Sequence, residues 1–200
     1  MNNTPRKRTS FNTNLNYRYA DSSGREINFD VDYGQFRGRA SSYLPNYYSS
    51  KGTPLSEVIT LNNTPTDIDI YTAKTDVVLP LAKGNIGFGA KISYVTTENT
   101  SAFFDATGGQ LIATPERSFL FSYKENVNAA YISYQRSINA KWSLQAGLRA
   151  EQTNTKGLLT RADGVVQPDN DVKRSYLDFF PNATITYLAD KKNTLNLSFS

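Results

Sequence analysis

Paired carboxylates are the first groups in this sequence that could do chemistry. Asp30 and Asp32 alternate with apolar residues in "NFDVDY", and Asp67 and Asp69 do the same in "TDIDI". Two carboxylates on one strand face can divide acid and base roles. The chain has no histidine and no cysteine. It therefore lacks the usual proton shuttle and thiolate, and no nucleophile–base pair accompanies the aspartates. The expectation is a protein that is not an enzyme, with no catalytic residue. The stretch "DGVVQPDND", Asp163 to Asp171, gathers oxygen ligands around a glycine but lacks the EF-hand spacing and its final Glu. It reads as a solvated loop, with no metal and no other cofactor expected. "GNIGFGAK" has the glycine density of a phosphate loop, yet it alternates like a strand and no helix follows. Its Gly87 and Gly89 suit a place where a side chain or a plug comes close to the backbone. "RKR", Arg6 to Arg8, stands alone in a chain of net charge +4 and pI about 9.2. Without a wider basic patch it reads as part of a solvated polar tail over residues 1–9, and nucleic acid is not an expected partner.

These groups must be positioned by strands. The chain of 200 residues has a mean hydropathy of −0.51 and no apolar run near the roughly 20 residues a membrane helix needs. If it spans a membrane, it does so as a β-barrel, the other architecture that satisfies every backbone group in lipid. It uses 13 Tyr and 11 Phe, which favours β-structure. Eight long strands with period-two alternation can be read. In the first, Phe11, Thr13, Leu15, Tyr17 and Tyr19 share one face, and Asn12, Asn14, Asn16 and Arg18 the other. "EINFDVDY", "IYTAKTDVVL", "IGFGAKISYV", "WSLQAGLRAE", "DFFPNATITYL" and "TLNLSFS" repeat the pattern. "YKENVNAAYISYQRSI" is ambiguous, because Val127, Ala129 and Tyr131 alternate with Ala130, Ile132 and Tyr134, so either face could be the greasy one.

Short turns at "DSSGR", "PLAKGN", "NAK" and "ADKKN" alternate with long polar segments over about 35–66, 97–122 and 152–175. Strands of roughly 8–12 residues, with short turns at one end and long loops at the other, are the layout of an outer-membrane barrel. Tyr19, Trp142 and Tyr187 fall near the short turns, and Tyr33, Tyr71 and Tyr94 near the long loops. Two such rows match the aromatic girdles at the two membrane interfaces. Alternation alone leaves the direction of the greasy face open. A soluble, lipocalin-like all-β ligand-binding module would turn it inward as a core.

The phrases "NLNYRYADSSGREINFDVDYGQFRGRASSYLPNYY", "TPTDIDIYTAKTDVVLPL", "YKENVNAAYISYQRSINAKWSLQAGLRAEQTNTKG" and "KRSYLDFFPNATITYLADKKNTLNLSFS" resemble the outer-membrane β-barrel family related to TonB-dependent receptors. The resemblance runs from about Phe11 to Ser200. It implies an all-β, antiparallel up-and-down meander of about eight long strands, forming a transmembrane barrel or part of one over residues 10–200. It also implies a location in the cell outer membrane and a role in binding or uptake of nutrients. Full receptors of this type have about 22 strands around an N-terminal plug. No plug-like region, signal peptide or energy-coupling box is readable, and the chain stops within "NLSFS", so it reads as a fragment of a larger barrel. The expected partners are outer-membrane lipid and a plug domain or the remaining strands. Asn14, Asn16, Arg18, Lys91, Gln145, Arg149 and Glu151 are the expected lumen-facing binding residues. Tyr43, Tyr47, Tyr48, Phe103 and Phe104 are the expected loop contacts. Eight strands could close if the first paired with the last; otherwise they form an open curved sheet with two bare edges.

Overall fold

A computed structural model of the chain describes residues 5–166 and 168–200. It contains ten strands: β1 (Arg6–Ala20), β2 (Glu26–Ser50), β3 (Thr53–Asn63), β4 (Thr66–Leu81), β5 (Gly84–Asp105), β6 (Ile112–Ala113), β7 (Phe119–Ser137), β8 (Trp142–Arg161), β9 (Asp171–Leu188) and β10 (Thr194–Phe199). Eight of them form the antiparallel meander read from the alternation: β1–β2–β4–β5–β7–β8–β9–β10. The other two are additions. β3 pairs with the far half of β2 and with the end of β5, and β6 is a two-residue addition to β5. Two short 3-10 turns, Thr107–Gly109 and Pro115–Arg117, flank β6.

The short connections form as their residues dictate. Asp21 accepts hydrogen bonds from the Ser23 hydroxyl (2.6 Å) and the backbone N–H groups of Ser23 and Arg25, and Gly24 takes the left-handed conformation at φ 83° that the turn needs. These bonds, led by the Ser23 hydroxyl, hold the Asp21 carboxyl down at about 2. Asn139 and Asp190 cap the later turns in the same way, each accepting from N–H groups two and three residues ahead.

Two expectations need correction. The polar segments over 35–66, 97–122 and 152–175 are largely strand, not loop. β2 continues to Ser50 and folds back as β3, β5 continues to Asp105, and β8 runs to Arg161 before β9 starts at Asp171. Beyond a bilayer both faces of a hairpin are wet, so the alternation fades while the backbone ladder continues. The polar tail is shorter than residues 1–9: β1 starts at Arg6, so "RKR" pairs with Gly38, Arg39 and Ala40, and residues 1–4 lie outside the described residues. Of the two arrangements left open for the eight strands, closure or an open sheet, the open sheet is the one found. Among the described residues no pairing joins β1 to β10, and the sheet keeps two edges.

The direction of the greasy face is decided by exposure. In β2, Ile27, Phe29 and Val31 are exposed while Glu26, Asn28, Asp30 and Asp32 are half-buried. In β5, Phe88, Ala90, Ile92 and Tyr94 are exposed while Gly87, Gly89, Lys91 and Ser93 are half-buried. Apart from the two 3-10 turns, which pack on β3, β5 and β8, packing contacts run between hydrogen-bonded neighbours, with no second layer of described strands over either face. The lower exposure of the polar face therefore reports curvature: side chains on the concave side crowd one another. Among the described residues the buried apolar side chains are Ile59, Ala106 and Ala129, and no side chain is fully buried. A soluble barrel with a greasy core is excluded by this inversion, because large apolar groups left in water would each forfeit about 1.5–3 kcal/mol of burial. Strand β7 also resolves. Ala130, Ile132 and Tyr134 join the convex face, opposite Ala90, Phe88 and Ile86, while Ala129 and Tyr131 turn to the concave side.

Candidate functional site

The concave face carries the polar side chains expected to bind. Asn14 donates to Asp32 and Asn16 to Asp30, both at 2.7 Å, and Arg18 pairs with Glu26 at 2.9 Å. Lys74 bridges Asp76 at 2.6 Å, and Lys91 sits opposite Lys74 in the ladder. Arg149 forms an ion pair with Glu151, and its guanidinium lies 5.8 Å from the centre of the Tyr131 ring. Gln145 lies on the same face, near the short-turn end of β8, and is exposed. Asn14, Asn16, Arg18, Lys91, Gln145, Arg149 and Glu151 thus share one side of one sheet, but not one pocket. They are spread from β1 at one edge to β8. Most are engaged with a neighbouring strand or a residue two positions away, which makes them a polar wall.

Tyr131 explains the glycines of β5. A Cβ on Gly89 would lie 2.5 Å from the Tyr131 hydroxyl oxygen, and one on Gly87 2.9 Å from Ser133 Oγ. The close approach expected from "GNIGFGAK" is made by side chains of β7.

The expected loop contacts are strand residues and divide between two faces. Tyr43, on β2, is opposite Leu61, which is opposite Phe104 on β5, and Tyr47 shares this convex side. Tyr48 and Phe103 point to the concave side, where the Arg117 guanidinium covers the Phe103 ring at 4.9 Å. Tyr47 and Tyr48 flank the tip of the β2–β3 hairpin and are exposed at 71% and 54%. They are the most prominent aromatic pair beyond the band.

A concave pocket that the sequence reading missed lies between β7, β8 and β9 at their long-connection ends. It encloses about 370 Å³ and is lined by Phe121, Tyr123, Gly157, Val172, Arg174 and Tyr176, among others. Phe121 and Tyr123 stack with centroids 6.4 Å apart at 20°, and Tyr123 donates to Glu125 at 2.6 Å. Gly157 forms part of the floor, where a Cβ would make ordinary contact with the Phe121 ring at 3.5 Å. The pocket presents aromatic faces with one guanidinium, Arg174, and one acidic residue, Asp169, a lining suited to a planar or apolar ligand. The signal that could have found it is the period-two spacing of Phe119 and Phe121, in a segment read as loop, with Tyr123, the first residue of the strand read after it.

The paired aspartates are each engaged by neighbouring side chains. Asp30 and Asp32 accept from asparagines, while Asp67 and Asp69, on the convex face, are held by Arg39 and Arg37. In the "DGVVQPDND" stretch, where Gln167 lies outside the described residues, Asp163 accepts from the Val165 N–H and pairs with Arg161. These contacts, the backbone bond first, hold the Asp163 carboxyl below its ordinary range. No group of three candidate metal ligands occurs among the described residues.

Two aromatic rows border the convex apolar face. At the short-turn end Trp142 packs on Tyr187 with centroids 4.5 Å apart. At the other end Tyr33 lies 5.0 Å from Tyr71, Tyr71 is opposite Tyr94, and Phe11 reaches Tyr33 at 6.3 Å. An apolar band between two aromatic rows on the outside of a curved antiparallel sheet is the surface of a membrane barrel. The sequence matches the outer membrane protein beta-barrel family over residues 18–200. The chain belongs to that family. Its place is therefore the outer membrane, and its convex face meets lipid. No curated protein sequence matches the chain. Among solved structures, the chain is similar to the siderophore receptor PiuA from Acinetobacter baumannii, with a TM-score of 0.66 and 14% identity over 93% of this chain and 31% of the receptor. It is also similar to the ferric citrate transporter FecA in the unliganded form, with a TM-score of 0.56 and 18% identity over 94% of this chain and 26% of the transporter. At these identities the likeness is one of fold. The chain spans under a third of the length of either protein.

Proposed function

We propose that this outer-membrane barrel segment forms part of the wall of a receptor that binds a bulky nutrient and passes it across the outer membrane. The observation that carries the reading is the polar concave face, which ends in the aromatic pocket of Phe121, Tyr123 and Tyr176 beside Arg174. In this reading Asn14, Asn16, Arg18, Lys91, Gln145, Arg149 and Glu151 line the lumen. Their side chains, five of them joined in hydrogen-bonded pairs and Lys91 and Gln145 without such a partner among the described residues, offer a hydrated wall to a plug domain or to a passing solute. The two open edges, β1 and β10, take up the remaining strands of the barrel, since unpaired strand edges template pairing with another strand. The family and the fold shared with the receptor and the transporter support a transport role, and the aromatic lining of the pocket supports a ligand with flat apolar surface.

The test compares cells carrying the gene with cells lacking it, on a panel of limiting carbon and iron sources. Growth on at least one source should depend on the gene at low concentration. Tyr123→Ala/Tyr176→Ala should lower uptake of that source at least tenfold when it is scarce, with recovery when it is abundant and an unchanged amount of protein in the outer membrane. Growth independent of the gene on every source, or normal uptake by the double variant, would refute the reading.

A further inference from the structure

On the convex face, at the height where the apolar band ends, three lysines stand in one cross-strand row. Lys124 on β7 is opposite Lys156 on β8, and Lys156 is opposite Lys173 on β9. All three are exposed. Like charges directly opposite one another destabilise a sheet. Elsewhere this protein offsets such contacts. At the same level on β2 and β4, Arg37 grips Asp69 at 2.8 Å and Arg39 is bound to Asp67. On the concave face the Lys74–Lys91 pair has Asp76 at 2.6 Å from Lys74. In the convex row Asp171 reaches Lys173 at 3.2 Å, and Lys124 and Lys156 have no carboxylate partner among the described residues.

The row lies at a definite depth. Lys156 is 14 residues beyond Trp142 on the same strand. At about 3.3 Å per residue and a tilt near 45°, that is roughly 33 Å along the membrane normal. An outward apolar band is only about 25 Å tall. With Trp142 at one interface, Lys156 therefore sits past the hydrocarbon at the other, in the headgroup layer. Its neighbours on β7 and β9 lie within a few ångströms of that height.

Directly below the row the aromatic border changes character. On β2, β4 and β5 it is Tyr33, Tyr71 and Tyr94; on β7, β8 and β9 the corresponding positions are Asn126, Asn154 and Ser175. Together with the lysines and Tyr94, and with Glu125, Thr155 and Arg174, which alternate onto the opposite face, they line an outward groove of about 450 Å³. Ser175 donates to Asn154 at 2.8 Å, which fixes one wall.

We propose that this groove is a binding site for the phosphorylated headgroup of an outer-leaflet lipid. The lysine row holds the phosphate, and the amides below it bond the polar groups between phosphate and acyl chains. The charge the protein leaves uncompensated is the charge the headgroup supplies, and each lysine close to an anionic lipid surface adds to the attraction. The apolar Leu177, Phe179 and Leu148, on the same face nearer the middle of the strands, receive the chains.

The experiment uses the protein assembled in outer membranes, extracted in a zwitterionic detergent and stripped of lipid. The probe is a bis-phosphorylated, acylated glucosamine disaccharide in micelles, with its dephosphorylated form and inorganic phosphate as comparisons. The phosphorylated lipid should bind at least tenfold more tightly than the dephosphorylated one. Lys124→Gln/Lys156→Gln/Lys173→Gln should weaken it at least tenfold, and Lys156→Gln alone several-fold. Arg37→Gln, in the charge-matched cluster, should leave it unchanged within twofold. The triple variant should be at least as heat-resistant as the parent in lipid-free detergent, because it loses only repulsion. Equal binding of both lipids, undiminished binding by the lysine variants, or displacement by millimolar inorganic phosphate would overturn the assignment to a lipid headgroup.

Discussion

Leu148→Arg is expected to cost about 2–4 kcal/mol of membrane-folded stability, the depth-dependent price of an arginine near the bilayer midplane. Leu148 is six residues beyond Trp142 on β8, which places it roughly 14 Å above the short-turn interface, in the middle of the apolar band. It is 44% exposed on the convex face, opposite Ile132 on one side and Pro181 on the other. The charge would have no protein partner there, because the polar side chains of this region belong to the concave face. Urea titration in lipid vesicles measures the loss directly, and heat modifiability of the outer-membrane fraction reports it in cells. Gln145→Ala, on the opposite face of the same strand, should stay within about 0.5 kcal/mol of the parent. An unchanged midpoint for Leu148→Arg would mean that this face does not meet lipid.

Gly89→Ala is expected to be among the most damaging single-methyl additions in the sheet. A Cβ at that position would stand 2.3 Å from the Thr75 carbonyl oxygen and 2.5 Å from the Tyr131 hydroxyl oxygen. Tyr131 can swing aside, at the cost of its contact with Arg149, but a carbonyl inside the β4–β5 ladder cannot. Forcing atoms into a packed site costs about 1–3 kcal/mol. Gly89→Ala/Tyr131→Ala should therefore recover part of the loss and not all of it, as read by the same urea titrations. Gly52, at the tip of the β2–β3 hairpin, has open space around it, although its φ of 82° makes any side chain strained there. The contrast is between a glycine kept for contact and one kept for backbone conformation. A Gly89→Ala midpoint within 0.5 kcal/mol of the parent would contradict the close packing of Tyr131 and Thr75 around it.

How far these features could be read from sequence depended on where each residue sits relative to the membrane. Inside the band one face is greasy and the other wet, so the alternation of Ile27, Phe29 and Val31 with Asn28 and Asp30 writes the strand into the sequence. The eight strand centres, their order and their short turns followed from it. Strand β7 resisted because its concave face carries Ala129 and Tyr131, a small and an aromatic residue where charge was expected. Tyr131 serves there to cover Gly89, a pairing that only cross-strand register reveals. Beyond the band the alternation disappears although the hydrogen-bonded ladder does not. The outer parts of β2, β5, β7, β8 and β9 therefore read as loop, and the pocket that lies where β7, β8 and β9 leave the band was missed with them. The lysine row is a further case. Lys124, Lys156 and Lys173 are far apart in the chain, and only the registers of two hairpins place them side by side.

The central claim is that the apolar face of this sheet meets lipid and the polar face does not. The chain has no cysteine, so single cysteines can be placed along β8 from Leu144 to Glu151 without a background. In outer-membrane vesicles, a bilayer-embedded quencher should reach fluorophores at positions 144, 146, 148 and 150. A water-soluble maleimide should label positions 145, 147, 149 and 151. A period of two in both readouts, in opposite phase, is the predicted result. The reverse phase, or reactivity without a period, would contradict the account.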